Sequence, residues 1–205
     1  MGIELFARGL VVGFAIAAPV GPIGMLVIRR TLAEGRLLGL LTGMGAAAAD
    51  SLYGCVGAFG LTFISSLLMG YAFWTKLLGG LFLVYLGIST FRAKAKAEIR
   101  GASRVRYATA FLSTLALTLT NPATILSFMA VFAGLGLGTK AGDYGAAGIV
   151  VAGVFIGSAL WWLLLSGGVA LIRNKLTTGT MQWIDYGSGT FLTAFGIHAL
   201  VSLML

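Results

Sequence analysis

Asp50 is the residue whose chemistry most needs a reason. It lies inside a long apolar run, about 13 residues or roughly 20 Å from the start of that run if the run is helical. An ionised Asp at the centre of a membrane helix costs about 2.5–3.5 kcal/mol, so such an acid is expected to face the interior of a bundle and to serve a function there. It could bind a solute amine, exchange a proton, or do both. The plainer alternative is a structural Asp hydrogen-bonded across helices. The prolines form a second group. All of them fall inside apolar runs: Pro19 and Pro22 around Val20-Gly21, and Pro122 after Asn121. Proline lacks an N–H, clashes with the preceding turn, and biases the residue before it away from helical angles. Helix breaks are therefore expected at Pro19–Pro22 and at Asn121–Pro122, and the carbonyls they free must face protein or water. The half-helix N-termini made there carry partial positive charge and free amides, which suit a carboxylate. Thr114, Thr118 and Asn121 share a face at i, i+4, i+7 spacing. Trp161 and Trp162 sit mid-run rather than at the interface where Trp is enriched. With Tyr53 they could wall a pocket, or simply pack. The candidate binding residues are Pro19, Gly21, Pro22, Asp50, Tyr53, Thr118, Asn121, Pro122 and Trp161, with Asp50 also the proton-coupling group. His198 could relay protons or be a packed, hydrogen-bonded histidine.

The elements that must position these residues are apolar. Of 205 residues, 59% are apolar and 10% charged, against about 25% charged in soluble domains. A soluble protein this apolar would expose large patches and aggregate. A spanning helix needs about 20 apolar residues, and the runs 5–28, 37–61, 72–91, 108–135, 146–172 and 182–204 qualify. The stretch 62–71 is apolar too and could lengthen the second run or form an interfacial turn. The first run is too long for a secretory leader, and Glu4 stands in its n-region. The net charge of +8 does not point to nucleic acid, because the charges lie in short loops between apolar runs. There they set orientation. One side carries Arg29, Arg30 and Arg36, then Arg92, Lys94, Lys96, Arg100, Arg104 and Arg106, then Arg173 and Lys175. The other carries Arg8, Lys76 and Lys140. Basic loops stay in the cytoplasm, so both termini are expected outside. Asp185 and Lys76 begin their runs and read as solvated or snorkelling charges.

The chain also repeats. Gly21-Pro22 and Asn121-Pro122 stand 100 residues apart. Gly45, Leu52 and Tyr53 match Gly153, Leu160 and Trp161 at an offset of 108. Gly80, Phe82, Leu83, Gly87 and Ile88 match Gly189, Phe191, Leu192, Gly196 and Ile197 at 109. The fold expected is an all-α membrane protein of six transmembrane helices, an inverted 3+3 repeat with helices 1 and 4 broken. Residues 1–91 form the first three-helix repeat, 92–107 a basic cytoplasmic loop, and 108–205 the second, inverted repeat. Three spans are an odd number, so the second half must insert in the opposite sense, a common plan of secondary transporters whose site lies at interrupted helices. The matching glycines are expected to allow close helix contact.

At these residues the sequence resembles the lysine exporter (LysE) family of bacterial amino-acid exporters, over nearly its whole length. Pro19-Val20-Gly21-Pro22 resembles the proline-glycine-proline element of that family's first helix. Gly45 to Asp50 resembles the small-residue run ending in Asp, Asn121-Pro122 the fourth-helix Asn-Pro, and Trp161 or Trp162 the fifth-helix Trp. The resemblance implies efflux of amino acids by proton exchange. Two departures bear on the solute. Ile23-Gly24 stands where the exporters of basic amino acids usually have Gln-Asn, and Ala123 where the family often has Lys or His. A smaller or more apolar amino acid fits better than lysine or arginine. The partners expected are this solute, protons and the bilayer; oligomeric state is left open. No cofactor, metal or enzymatic activity is expected. A divalent-cation exporter would need several oxygen ligands, whereas Asp50 is the only deep acid. A membrane thiol oxidoreductase would need paired cysteines, and Cys55 stands alone. A membrane protein that transports nothing is the remaining alternative.

Overall fold

A computed structural model of the chain describes residues 2–19, 21–59, 70–92, 104–135, 143–173 and 178–204. These hold eight helices and no strand: α1 (Gly2–Ala17), α2 (Pro22–Glu34), α3 (Arg36–Ala58), α4 (Ala72–Arg92), α5 (Arg104–Leu119), α6 (Pro122–Leu135), α7 (Tyr144–Arg173) and α8 (Thr178–Val201). Most of the expected basic loop, 93–103, and most of the apolar stretch 62–71 lie outside the described residues. Among them, α7 is the one helix long and apolar enough to cross a membrane unbroken. Two bent pairs qualify together: α1 with α2, at 79°, and Arg106–Leu119 with Thr124–Val131, at 62°. The apolar part of α4, Lys76–Phe91, is shorter than a span. The helices α3 and α8 have 23 and 24 residues, but Asp50 and glycines dilute the apolar content of the first, and Gln182, Asp185 and a Gly/Ser/Thr run that of the second.

Between the first two expected runs the boundaries differ from expectation. The loop expected at 29–36 shrinks to a single residue, because α2 continues to Glu34 and α3 begins at Arg36. Gly35 makes the turn with φ +103, a conformation that costs glycine nothing and a side chain much. Its amide donates to Thr31 O at 3.0 Å. So Arg29 and Arg30 are helical residues facing protein, not loop charges.

Close packing rests on small residues. Along the α1–α7 seam, a methyl added at Gly9 or Gly13 would collide with the carbonyls of Val150 and Val154. One added at Gly153 or Gly157 would collide with those of Phe6 and Leu10. In the α4–α8 pair, Gly80 faces the Gly196 carbonyl and Gly87 that of Gly189. In lipid, backbones that approach this closely gain dispersion contacts, which replace the hydrophobic drive available in water. Two apolar clusters complete the core. One gathers Val12, Tyr53, Phe128, Val150 and Val154. The other gathers Leu26, Val27, Ala46, Ala47, Trp162 and Leu192.

Candidate functional site

The site begins with the two interruptions. α1 ends at Ala17, and the Ala18 amide makes the last bond of that turn, to Phe14 O at 2.9 Å. Gly21 is the extended N-cap of α2 and Pro22 its first residue. At this position the missing proline N–H costs nothing. The next amides, of Ile23 and Gly24, have no carbonyl of their own helix within reach. At the other break, α5 ends at Leu119 and Pro122 opens α6. The Asn121 carbonyl accepts from Thr124 at 3.1 Å and from Ile125 at 3.3 Å. The broken turn also frees the Leu119 carbonyl, and the Tyr53 hydroxyl donates to it at 2.7 Å. The polar cost of this break is thus met inside the bundle.

Both breaks open into one cavity of about 220 Å³. Its walls include Ala17, Pro19, Gly21, Pro22, Ile23 and Gly24 from the first break, Thr118, Asn121, Thr124 and Ser127 around the second, and Ala46, Asp50, Trp162 and Phe195 from the flanking helices. At roughly 30 Å³ per water, the space holds several waters or one small solute. Asp50 is 4% exposed. The Ser158 hydroxyl donates to its Oδ2 at 2.6 Å, and the Trp162 indole donates to Ser158 Oγ at 3.1 Å. Asp50 Oδ1 has no hydrogen bond to a described residue, which leaves it able to accept one from a solute. A cavity with one carboxylate, helix-terminal amides and hydroxyls can hold a small molecule that carries both an amine and an anionic group.

Comparison with known proteins decides the family. The LysE type translocator model matches residues 14–203. The chain belongs to the LysE type translocator family. It is 26% identical over 200 residues to YcgF of Bacillus subtilis (strain 168), whose name assigns it provisionally to amino acid efflux; the match covers 95% of this chain and 94% of that one. It is 27% identical over 178 residues to YahN of Escherichia coli (strain K12), named as an uncharacterized membrane protein, covering 85% and 78% of the two chains. No solved structure matches the chain. This LysE translocator is therefore a bacterial membrane protein of a transporter family.

In this translocator, six of the residues picked from sequence, Pro19, Gly21, Pro22, Asp50, Thr118 and Asn121, line the cavity, and Pro122 starts α6 beside it. Tyr53 and Trp161 sit elsewhere. Tyr53 holds the α5 carbonyl end and packs on Phe128 with ring centroids 5.8 Å apart. Trp161 meets Phe14 edge-on at 5.4 Å, while its neighbour Trp162 lines the cavity. Ser158 was missed. Its signal was present, because it stands 108 residues after Asp50, the offset that relates the two runs. Asp185 is corrected. It is not solvated but pairs with Arg29 at 3.0 Å, with side chains 16% and 13% exposed. The reason is that α8 begins at Thr178, which puts Asp185 about two turns inside the helix. Lys76 and His198 line a neighbouring cavity of about 300 Å³ that shares Pro22, Ile23, Asn121 and Phe195 with the first.

Proposed function

We propose that this translocator exports small or apolar amino acids in exchange for protons, through the cavity between its two helix breaks. The observation that carries the reading is that Asp50 and both breaks face the same space. Asp50 would hold the solute amine and then a proton in its place. The first-turn amides of α2, at Ile23 and Gly24, would hold the carboxylate. Apart from Asp50 the lining is uncharged and largely apolar, with Ile16, Ile23, Ala46, Trp162 and Phe195. That suits a short apolar side chain better than a cationic one. Amino acid efflux is also the activity in the name of the relative YcgF.

The transport cycle would use two halves that rock against each other, arranged as six spans with both termini outside. Several contacts support an inverted repeat. Asp50 is bonded to Ser158, its own counterpart at the 108-residue offset. Gly80 meets Gly196 while Gly87 meets Gly189, and each contact becomes the other when every residue is exchanged for its match at 109. Gly45 lies against the backbone of Phe111 and Leu115, as its match Gly153 lies against that of Phe6 and Leu10. These pairs recur as they would about a two-fold axis in the membrane plane, where such transporters place their sites.

Efflux from cells fed dipeptides, compared between a deletion strain and an overexpressing strain for every amino acid, tests the reading. Raised efflux of one or a few apolar amino acids, abolished by collapsing the proton gradient, is expected. Equal efflux in the two strains for all amino acids, with the protein present in the membrane, would refute it.

A further inference from the structure

Three helices line the cavity and continue past its floor toward the arginine-rich side. On α3, Thr42 lies one turn beyond Ala46. On α5, Thr114 lies one turn beyond Thr118. On α2, Arg30 lies two turns beyond Ile23 on the same face. These residues meet. The Arg30 guanidinium donates from one terminal nitrogen to Thr42 Oγ1 at 3.1 Å, Ala110 O at 3.2 Å and Thr114 Oγ1 at 3.4 Å. From the other it donates to Ser113 Oγ at 3.2 Å. The threonine protons point elsewhere, Thr42 donating to Leu38 O at 2.8 Å and Thr114 to Ala110 O at 3.0 Å. Their lone pairs are left toward the guanidinium.

Every acceptor in this shell is neutral. Among the described residues, Asp185 is paired with Arg29 and Glu34 with Arg106, and no carboxylate is hydrogen-bonded to Arg30; Glu34, one turn further along α2, acts on it only through space. A guanidinium is charged at every working pH, and one drawn partly out of water, as Arg30 is, gains from an anion set against it. Neutral oxygens hold it by separate single bonds, whereas a carboxylate adds an opposite charge and can take both arms of the fork at once. The helix carrying Arg30 is pinned independently of it. Besides the two ion pairs, Arg173 donates to Leu32 O at 2.8 Å and Ala33 O at 3.4 Å. The Arg30 head can therefore exchange partners without releasing α2.

We infer that Arg30 is a carboxylate-reading plug: it closes the floor of the cavity on neutral oxygens and releases them for the carboxylate of a solute arriving from the cytoplasm. The inference rests on the export reading and narrows it. The solute must bring an anion to pass Arg30 as well as an amine to meet Asp50, so amino acids are carried and the corresponding amines are not. Arg30 and Asp50 stand about 12 Å apart along α3, judged from Thr42 to Asp50. A small α-amino acid meets them in succession rather than together.

The test measures uptake of labelled alanine, valine and leucine into everted membrane vesicles, which expose the cytoplasmic face. Ethylamine, isobutylamine and isoamylamine serve as carboxylate-free competitors. In wild type, each amine should compete about tenfold or more weakly than its parent amino acid. Arg30→Gln should raise half-saturation for the amino acid at this face by about tenfold and shrink the difference to what the α2 amides alone sustain. Half-saturation at the outer face, read by counterflow in right-side-out vesicles, should not change. A second variant moves the other way: with Thr42→Val and Thr114→Val together, Arg30 loses competing acceptors and half-saturation for the amino acid should fall. Amines competing as well as amino acids in wild type would overturn the inference while leaving export intact. So would an Arg30→Gln protein that is merely slower or scarcer at an unchanged amino acid-to-amine ratio. No uptake of any of the three amino acids by wild type, with the protein in the membrane, would overturn the export reading and the inference with it.

Discussion

The half-helices that follow the two breaks, α2 and α6, start alike and are held differently. Each opens on a proline after a cavity-lining residue, Gly21 in one case and Asn121 in the other. From there they diverge. α2 carries Arg29, Arg30 and Glu34 and is tied by polar bonds to α3, α5, α7 and α8. α6 contains no charged residue. It is anchored by Ile125 and Phe128 in an apolar cluster with Val12, Tyr53 and Val154. The same geometrical device is thus locked by charge on the side where solute would arrive and by packing on the other. Hydrogen bonds can swap partners at little cost, whereas a packed aromatic must be displaced as a body.

The contrast predicts where each half is vulnerable. Phe128→Ala should be the most damaging to stability. It leaves a void in the α6 cluster worth about 3 kcal/mol, at the low end for such truncations, because in a bilayer the loss is of packing rather than of transfer from water. Thermal unfolding in detergent checks it, and an unchanged melting temperature would deny α6 its apolar anchor. Next is the proposed coupling residue. Asp50→Asn should insert normally yet cut proton-driven efflux about a hundredfold, while solute exchange without a gradient persists. Its matched partner carries less: Ser158→Ala should reduce efflux only about fivefold, since it removes one neutral donor. Wild-type efflux and pH response in Asp50→Asn at matched protein level would make Asp50 structural and would leave the two halves chemically equivalent.

Breaking the α2 ties should come third. Asp185→Asn strands Arg29 and should cost about 2 kcal/mol, below the range for a fully buried pair because both side chains keep some exposure. Exchanging the two, Arg29→Asp with Asp185→Arg, should restore most of it. A double-mutant cycle on melting temperature measures the coupling, and additivity of the two single changes would show that the pair does not hold α2.

What could be read in the sequence follows from which residues carry their cost locally. A proline inside an apolar run breaks a helix wherever it is packed, so both interruptions were legible, and with them Pro19, Gly21, Pro22 and Asn121. An acid deep in an apolar run must turn inward whatever its neighbours, so Asp50 was legible too. Facing was not. Trp161 and Trp162 are adjacent, and on a helix they point about 100° apart. The packing of α7 against α1 and α3 decides which one meets the cavity. Ser158 escaped for the opposite reason, since a serine can satisfy itself on its own helix and carries no cost that forces a partner. Arg29 and Arg30 were read as loop charges because the first run was ended at the first charge, and Asp185 as a charge at the end of its run because that run was started at 182 rather than at Thr178. The actual helices run on past those bounds, and the bundle supplies what the bilayer would not.

Tyr53 gives the smallest and most discriminating change. Grouped with Trp161 and Trp162, it could be read as a wall of the site or as simple packing. In the structure its hydroxyl instead donates to Leu119 O, a carbonyl freed by the second break. If that bond is its role, Tyr53→Phe keeps the ring against Phe128 and loses one hydrogen bond, about 1 kcal/mol. A buried carbonyl without its donor should then loosen the end of α5. The melting temperature should drop by a few degrees, and amide exchange should quicken around Thr120 and Asn121. Half-saturation for the solute should stay within about twofold of wild type, since no direct contact is lost. A tenfold rise in half-saturation with unchanged melting would return Tyr53 to the solute. The second break would then need another source of satisfaction for its carbonyl, as the first break, with Ile23 and Gly24 at the cavity wall, leaves its amides to whatever the cavity holds.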